Sequence, residues 1–362
     1  MNITFLIGNG FDLNLGLKTS YLNFIEHYLR HNIIEESAEI LYFKRNIYND
    51  KRSWANAEMA FGEYTSRYSG PRGLETFLNC HENFCEKLGE YLSSEEKKFD
   101  DQYLGVELVP MFADSLQNIT TGFREEQAQQ IQHCINSTGG PLVYNFISFN
   151  YTTTLDKIKS VADEEKTLMG VRHYMGNNYS NYLGELVHVH GYVDRDMVLG
   201  VNDESQIKNI DLFDNSDEED IAQIIKPQTN IMNERNIDDK VKNIINDSDL
   251  IYIYGMSIGE TDAIWWQRIC ELLILKQNLR VIIHQFDAPE QGLILRKYRK
   301  YEKEIREKFV KFYDAEENTL AYIKSKIHIT NANIFNKLHN VVEEYDANDL
   351  MYASTDLTPS LT

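Results

Sequence analysis

Four short, nearly unbroken apolar runs, at residues 3–7, 142–149, 250–254 and 280–286, constrain this chain more than anything else in it. Each is rich in β-branched or aromatic residues and is followed by a turn or helix signal, as a strand is. A strand apolar on both faces must be covered on both, so the runs predict an α/β fold with a parallel sheet between helical layers. Alternating segments at 186–190 and 197–201 read either as a hairpin joined by 192–196 or as two further sheet strands.

Between the first two runs lie about 130 residues with helical spacing. Tyr21, Leu22, Phe24, Ile25, Tyr28 and Leu29 mark one amphipathic face, and further helices are expected over 54–68, 74–92 and 111–135. A parallel crossover needs only about a dozen residues. The block at 20–139 is therefore read as a helical insertion, set into a sheet domain made of 1–19 and 140–290. An acidic stretch over 207–224 reads as a loop or helix entry, with a helix running on to Asn246. Residues 291–362 read as a helical C-terminal segment, with a solvated helix over 296–312 and a frayed tail from Ala353.

At 362 residues the chain can bury a large core. Its net charge of −20 argues against an exposed face for nucleic acid, which needs clustered Lys and Arg. A small anionic ligand held by backbone N–H groups stays open. Cys80, Cys85, Cys134 and Cys270 form no Cys-x-x-Cys pair, and Cys80, His81 and Cys85 lack metal-ligand spacing. Reduced thiols in the cytoplasm and no metal are expected. The first apolar run is too short for a signal peptide, and no segment reaches the roughly 18 apolar residues of a membrane span.

Gly8-Asn9-Gly10 directly after the first run is a plausible nucleotide-binding turn, because glycines let the backbone approach a ligand ahead of a helix. Leu13 stands where the full dinucleotide fingerprint has its third glycine, and no P-loop exists. Asp12 then poses a question, since a carboxylate sits where an anion would bind. It is read either as a helix cap or as an acid facing a ribose from the far side of a bound dinucleotide. Ser148–Thr152, Val189-His190-Gly191 and Gly255–Gly259 also follow apolar runs. In an open parallel sheet such strand ends share one edge, where ligands bind.

Gly8-Asn9-Gly10-Phe11-Asp12, Leu17-Lys18-Thr19-Ser20-Tyr21, Phe149-Asn150-Tyr151-Thr152, His190-Gly191 and Gly255-Met256-Ser257-Ile258-Gly259-Glu260-Thr261-Asp262 together resemble the bacteriophage abortive-infection AbiH family. Trp54 and Glu58 are similar to a weaker motif of that family, and the matches keep its order from Gly8 to about Trp266. AbiH proteins in turn resemble the sirtuin-type NAD-binding fold. The resemblance implies a Rossmann-like parallel sheet with a large helical insertion after the first strand. It aligns Gly8, Gly10 and Gly16 with the sirtuin glycine turn, Asn150 with the catalytic asparagine, His190 with the general base, and Gly255 with Ser257 with a later ligand loop. Three departures count against a deacylase: Lys18-Thr19-Ser20-Tyr21 replaces Pro-Asp-Phe-Arg, Thr152 replaces an acid, and no zinc ribbon exists.

The expected chemistry is therefore hydrolysis of NAD at the nicotinamide–ribose bond, as an antiphage abortive-infection response. Asn150, His190 and Asp12 are the catalytic candidates, and His188, on the same face as His190, is a candidate core residue. Gly8, Asn9, Gly10, Gly255, Ser257, Asp262, Glu58 and His284 are the candidates for holding NAD. The bland readings are turn geometry for the glycines, capping for Ser257, Glu260 and Asp262, and a surface position for Glu58. Trp265 and Trp266 read as core. A phage-derived trigger or partner and a homo-oligomer accompany this reading. Its rival is a nucleotide-sensing module that regulates a partner effector without chemistry.

Overall fold

The computed structural model describes residues 1–30, 36–99, 108–214, 216–233, 235–288 and 295–342. Six parallel strands form one sheet: β1 (Asn2–Ile7), β2 (Val143–Ser148), β5 (Tyr182–His188), β6 (Leu250–Tyr254), β7 (Arg280–His284) and β8 (Ile327–Thr330), in the order β5-β2-β1-β6-β7-β8. The four apolar runs thus become β1, β2, β6 and β7. Along β1, Ile3, Phe5 and Ile7 face one helical layer while Leu6 faces the other, so both faces are buried.

The first layer holds α6 (Val109–Gln117), α7 (Glu125–Asn136) and α8 (Thr154–Glu164), together with residues 334–342. The second holds α11 (Ile237–Asp247), α12 (Ala263–Leu275), α13 (Leu295–Val310) and α14 (Glu317–Ser325). A third core belongs to the insertion, with α2 (Tyr21–Arg30), α3 (Ala38–Asn49), α4 (Ala57–Tyr64) and α5 (Gly70–Glu96). Its centre is a knot of aromatic rings in which Trp54 packs edge-on against Phe43 and Phe61.

Several expectations change. The block at 20–139 is not one body, because α6 and α7 pack on the sheet and only 21–92 shares the aromatic core. The segment from 291 is not purely helical, since β8 extends the sheet beside β7. Residues 197–201 form no strand of the sheet, and Val201 makes only an isolated bridge to Ile225. The helix expected up to Asn246 is two, α10 (Lys226–Met232) and α11, and the expected 111–135 helix breaks between α6 and α7. A small antiparallel pair, β3 (Val171–Tyr174) and β4 (Asn177–Ser180), stands apart from the sheet. The frayed tail from Ala353 lies outside the described residues.

Strand order and register place the site. The chain leaves β1 toward β2 and β5, then returns to the other side of β1 as β6. Ile7 pairs with both Ser148 and Tyr254, and Ser148 pairs with His188, so four strands end level. The direction of winding therefore reverses beside β1, and the crevice at the carboxyl ends there is where open α/β sheets bind ligands.

Candidate functional site

That crevice holds a cavity of about 280 Å³, roofed by the insertion. The strand ends contribute Gly8, Asn9 and Asp12, then Phe149, Asn150, Tyr151 and Thr152, then His190, and then Gly255, Met256, Ser257, Thr261 and Asp262. The insertion and its approach add Thr19, Ser20, Tyr21 and Glu58. Two candidates fall elsewhere. Gly10 is not among the lining residues. His284 stacks on Tyr254 at 4.6 Å and meets Phe286 edge-on, and burial pushes its imidazole down to about 4, partly offset by the Asn331 backbone.

The glycine turn does something other than cradle phosphates. The Gly8 N–H donates to Tyr254 O at 2.9 Å and the Gly10 N–H donates to Gly255 O at 2.9 Å. A Cβ at Gly10 would lie 2.4 Å from Gly255 Cα, and Gly255 itself has φ +68. These glycines let the ends of β1 and β6 cross in contact, so their N–H groups are engaged within the protein. The Asn9 side chain closes the turn by accepting the Thr19 hydroxyl at 2.5 Å.

Asp12 is neither a cap of its own helix nor solvated. In α1 (Gly10–Leu15) the N-cap residue is Asn9, with no side-chain cap. The Asp12 carboxylate crosses to the end of β2, where Thr152 Oγ1 donates to Oδ2 at 2.5 Å and Thr154 Oγ1 donates to Oδ1 at 2.7 Å. Burial pushes its pKa up to about 6 against the opposing pull of the two hydroxyls.

The two histidines at and just past the end of β5 separate cleanly. His188 places Nδ1 2.9 Å from Asn150 O and Nε2 2.7 Å from Asp156 Oδ2, so both of its ring nitrogens are engaged within the protein. His190 places Nε2 3.3 Å from Asp262 Oδ1, while its buried Nδ1 meets no partner among the described residues. Gly191, at φ +76, allows the tight turn behind it, because a Cβ would fall 1.8 Å from Asp196 O. Asn150 is held by a backbone bond to Ser148 Oγ, and its buried side-chain Oδ1 also has no partner among the described residues.

Sequence reasoning missed Lys226. It is 4% exposed and donates to Glu58 Oε2 at 2.8 Å, to Asp262 Oδ1 at 3.2 Å and to Thr261 O at 3.2 Å. Burial alone lowers an ammonium, but Asp262 and Glu58 outweigh it and hold Lys226 above its ordinary value. Asp262 is held well below the carboxylate range: burial opposes this, and Lys226 and His190 outweigh it. Glu58 is thus buried and paired, and Asp262 makes no side-chain cap on α12. Ser257 lines the cavity from an exposed position, and Glu260 pairs outside with Lys311. Trp265 and Trp266 are core. The one sequence signal for Lys226 is a lone charge in Ile224-Ile225-Lys226-Pro227.

A family model described as Bacteriophage abortive infection AbiH matches residues 4–284. The chain belongs to the AbiH family. Membership implies phage abortive infection, and every AbiH-like stretch in the sequence supplies part of the cavity lining. No curated protein matches this AbiH chain. Among its described residues no helix is long and apolar enough to cross a membrane, and no His, Cys, Asp and Glu cluster could hold a metal ion.

Proposed function

We propose that this AbiH protein binds NAD with its nicotinamide riboside end in the cavity and hydrolyses the bond between ring and ribose. Abortive infection would then follow from loss of the cofactor in the infected cell. The observation that carries the reading is the pair of buried, unpartnered atoms, Asn150 Oδ1 and His190 Nδ1, in one cavity with the Asp12 carboxyl. Buried polar atoms are nearly always bonded, and orphans at a sheet edge suit atoms that await a ligand. The strand order, that of a dinucleotide-binding Rossmann sheet, supports the same reading.

The chemistry needs little. When the C1′–N bond breaks, its electron pair neutralises the pyridinium nitrogen, so nicotinamide leaves without a proton. Positive charge develops on the ribose, and carboxylates stabilise it. Asn150 Oδ1 positions a ribose hydroxyl or the attacking water, and His190 Nδ1 takes the water's proton as the C1′–O bond forms. The products are nicotinamide and ADP-ribose. In this reading Asp12 is the carboxyl that stabilises that charge, and Thr152, which replaces the acid of the sirtuin pattern, donates to Asp12. That bond supports Asp12 as the acid of this site.

One observation favours a nucleotide sensor instead, namely that both Asp12 oxygens already accept hydroxyl protons. Free nicotinamide decides between the two. Purified protein is incubated with NAD, alone and with extract from phage-infected cells, because an enzyme that drains NAD must stay silent before infection. Release is expected in at least the second condition, and Asn150→Ala and His190→Ala should each lower it about 100-fold or more. Retained nucleotide with no nicotinamide in either condition would make the protein a sensor.

A further inference from the structure

We infer that Lys226 is the positioning residue for His190, fixing the ring proton on Nε2 and fastening the helical insertion to the base; this rests on the catalytic reading of the cavity. Four segments meet at one buried ammonium: Glu58 from α4 of the insertion, His190 after β5, Lys226 at the start of α10, and Thr261 with Asp262 before α12. An ammonium has three protons, and Glu58, Asp262 and the Thr261 carbonyl accept all three. None is left for His190 Nε2, which lies 3.5 Å from Nζ. Nε2 also faces the Asp262 carboxylate, which accepts only, so Nε2 carries a proton and Nδ1 keeps its lone pair for the cavity.

Glu58 and Asp262 place two negative charges around one ammonium, so the charge of Lys226 is what limits the pull of these carboxylates on a second proton at His190. Asp238 of α11 adds a more distant acid, while Phe149 and Tyr151 present only rings to His190. Removing the ammonium would make the imidazole the only remaining cation, and the base would be lost to protonation. Removing Glu58 would act in the opposite sense. Because Glu58 is carried by the insertion, movement of the insertion away from the sheet would change the protonation of His190.

Titration of the His190 ring by NMR, assigned with His190→Gln, tests this without any substrate. In Lys226→Met the midpoint should rise by about one pH unit or more, and in Glu58→Gln it should fall. Lys226→Arg should stay near the parent protein. Where NAD is cleaved, Lys226→Met should lose about tenfold at neutral pH and recover at alkaline pH. A midpoint unmoved in both folded variants, or moved in the same direction, would overturn the assignment. If Lys226→Met does not fold, Glu58→Gln and Lys226→Arg carry the test. Absence of nicotinamide release would count against the hydrolase, while the titration would still decide the role of Lys226.

Discussion

The two walls of the cavity handle the same side chain in opposite ways. Asp12 meets two threonine hydroxyls and its carboxyl is pushed up to about 6, whereas Asp262 meets an ammonium and an imidazole and is held low. Both follow strand ends beside glycines, Asp12 fully buried and Asp262 with 14% of its side chain exposed, so neither residue type nor loop position sets the charge. The partner does. Hydroxyls only partly offset desolvation, while a full positive charge more than offsets it. One wall is thus an acid near its titration point and the other a permanently ionised pair.

The largest break in this comparison should come from Lys226→Met, which leaves buried Glu58 and largely covered Asp262 without their cation. A cost of about 3–5 kcal/mol in urea unfolding is expected, with Lys226→Arg losing much less. Asp12→Asn should do the reverse and stabilise at pH 8 by up to about 3 kcal/mol while abolishing turnover. The sign follows from the raised folded pKa. The contribution of Asp12 is fully present below about 3.8 and is lost as pH rises through about 6, so the gain in the variant should vanish at low pH. A gain that is constant with pH would contradict burial as the cause.

Thr152→Val sharpens the contrast more gently. It removes one of the two hydroxyls that lower the Asp12 pKa, so a carboxyl ¹³C titration should find the midpoint above 6, with a stability loss of about 1 kcal/mol. The smallest effect belongs outside the cavity. Buried His284 stays neutral to about pH 4, so its contribution is present above about 6.5 and is lost as pH falls through about 4. His284→Phe keeps a ring in the stack and should shift acid unfolding downward by a few tenths of a pH unit.

The sheet was legible because a strand covered on both faces must be apolar along its whole length, as the β1 and β6 sequences are. β8 was not, because Ile327-His328-Ile329-Thr330 is four residues long and becomes a strand only beside β7. β3 and β4 carry no apolar alternation at all. For the site, the meeting of strand tips could be read, since polar residues followed each apolar run. The role of the glycines could not: Gly8 and Gly10 are shaped by Gly255, some 245 positions away. Nor could His188 be told from His190, because Asp156 and Asp262, which separate them, arrive from other elements. Lys226 was invisible for a similar reason, as a lysine is buried only when distant carboxylates are waiting for it.

A crystal structure of the protein with NAD or ADP-ribose bound tests the central claim most directly. The anomeric carbon of the ribose should lie beside Asn150 and His190, with Asn150 Oδ1 and His190 Nδ1 bonded to a ribose hydroxyl or to a water at that carbon. A nucleotide seated away from both atoms, with the two still unpartnered, would contradict the account.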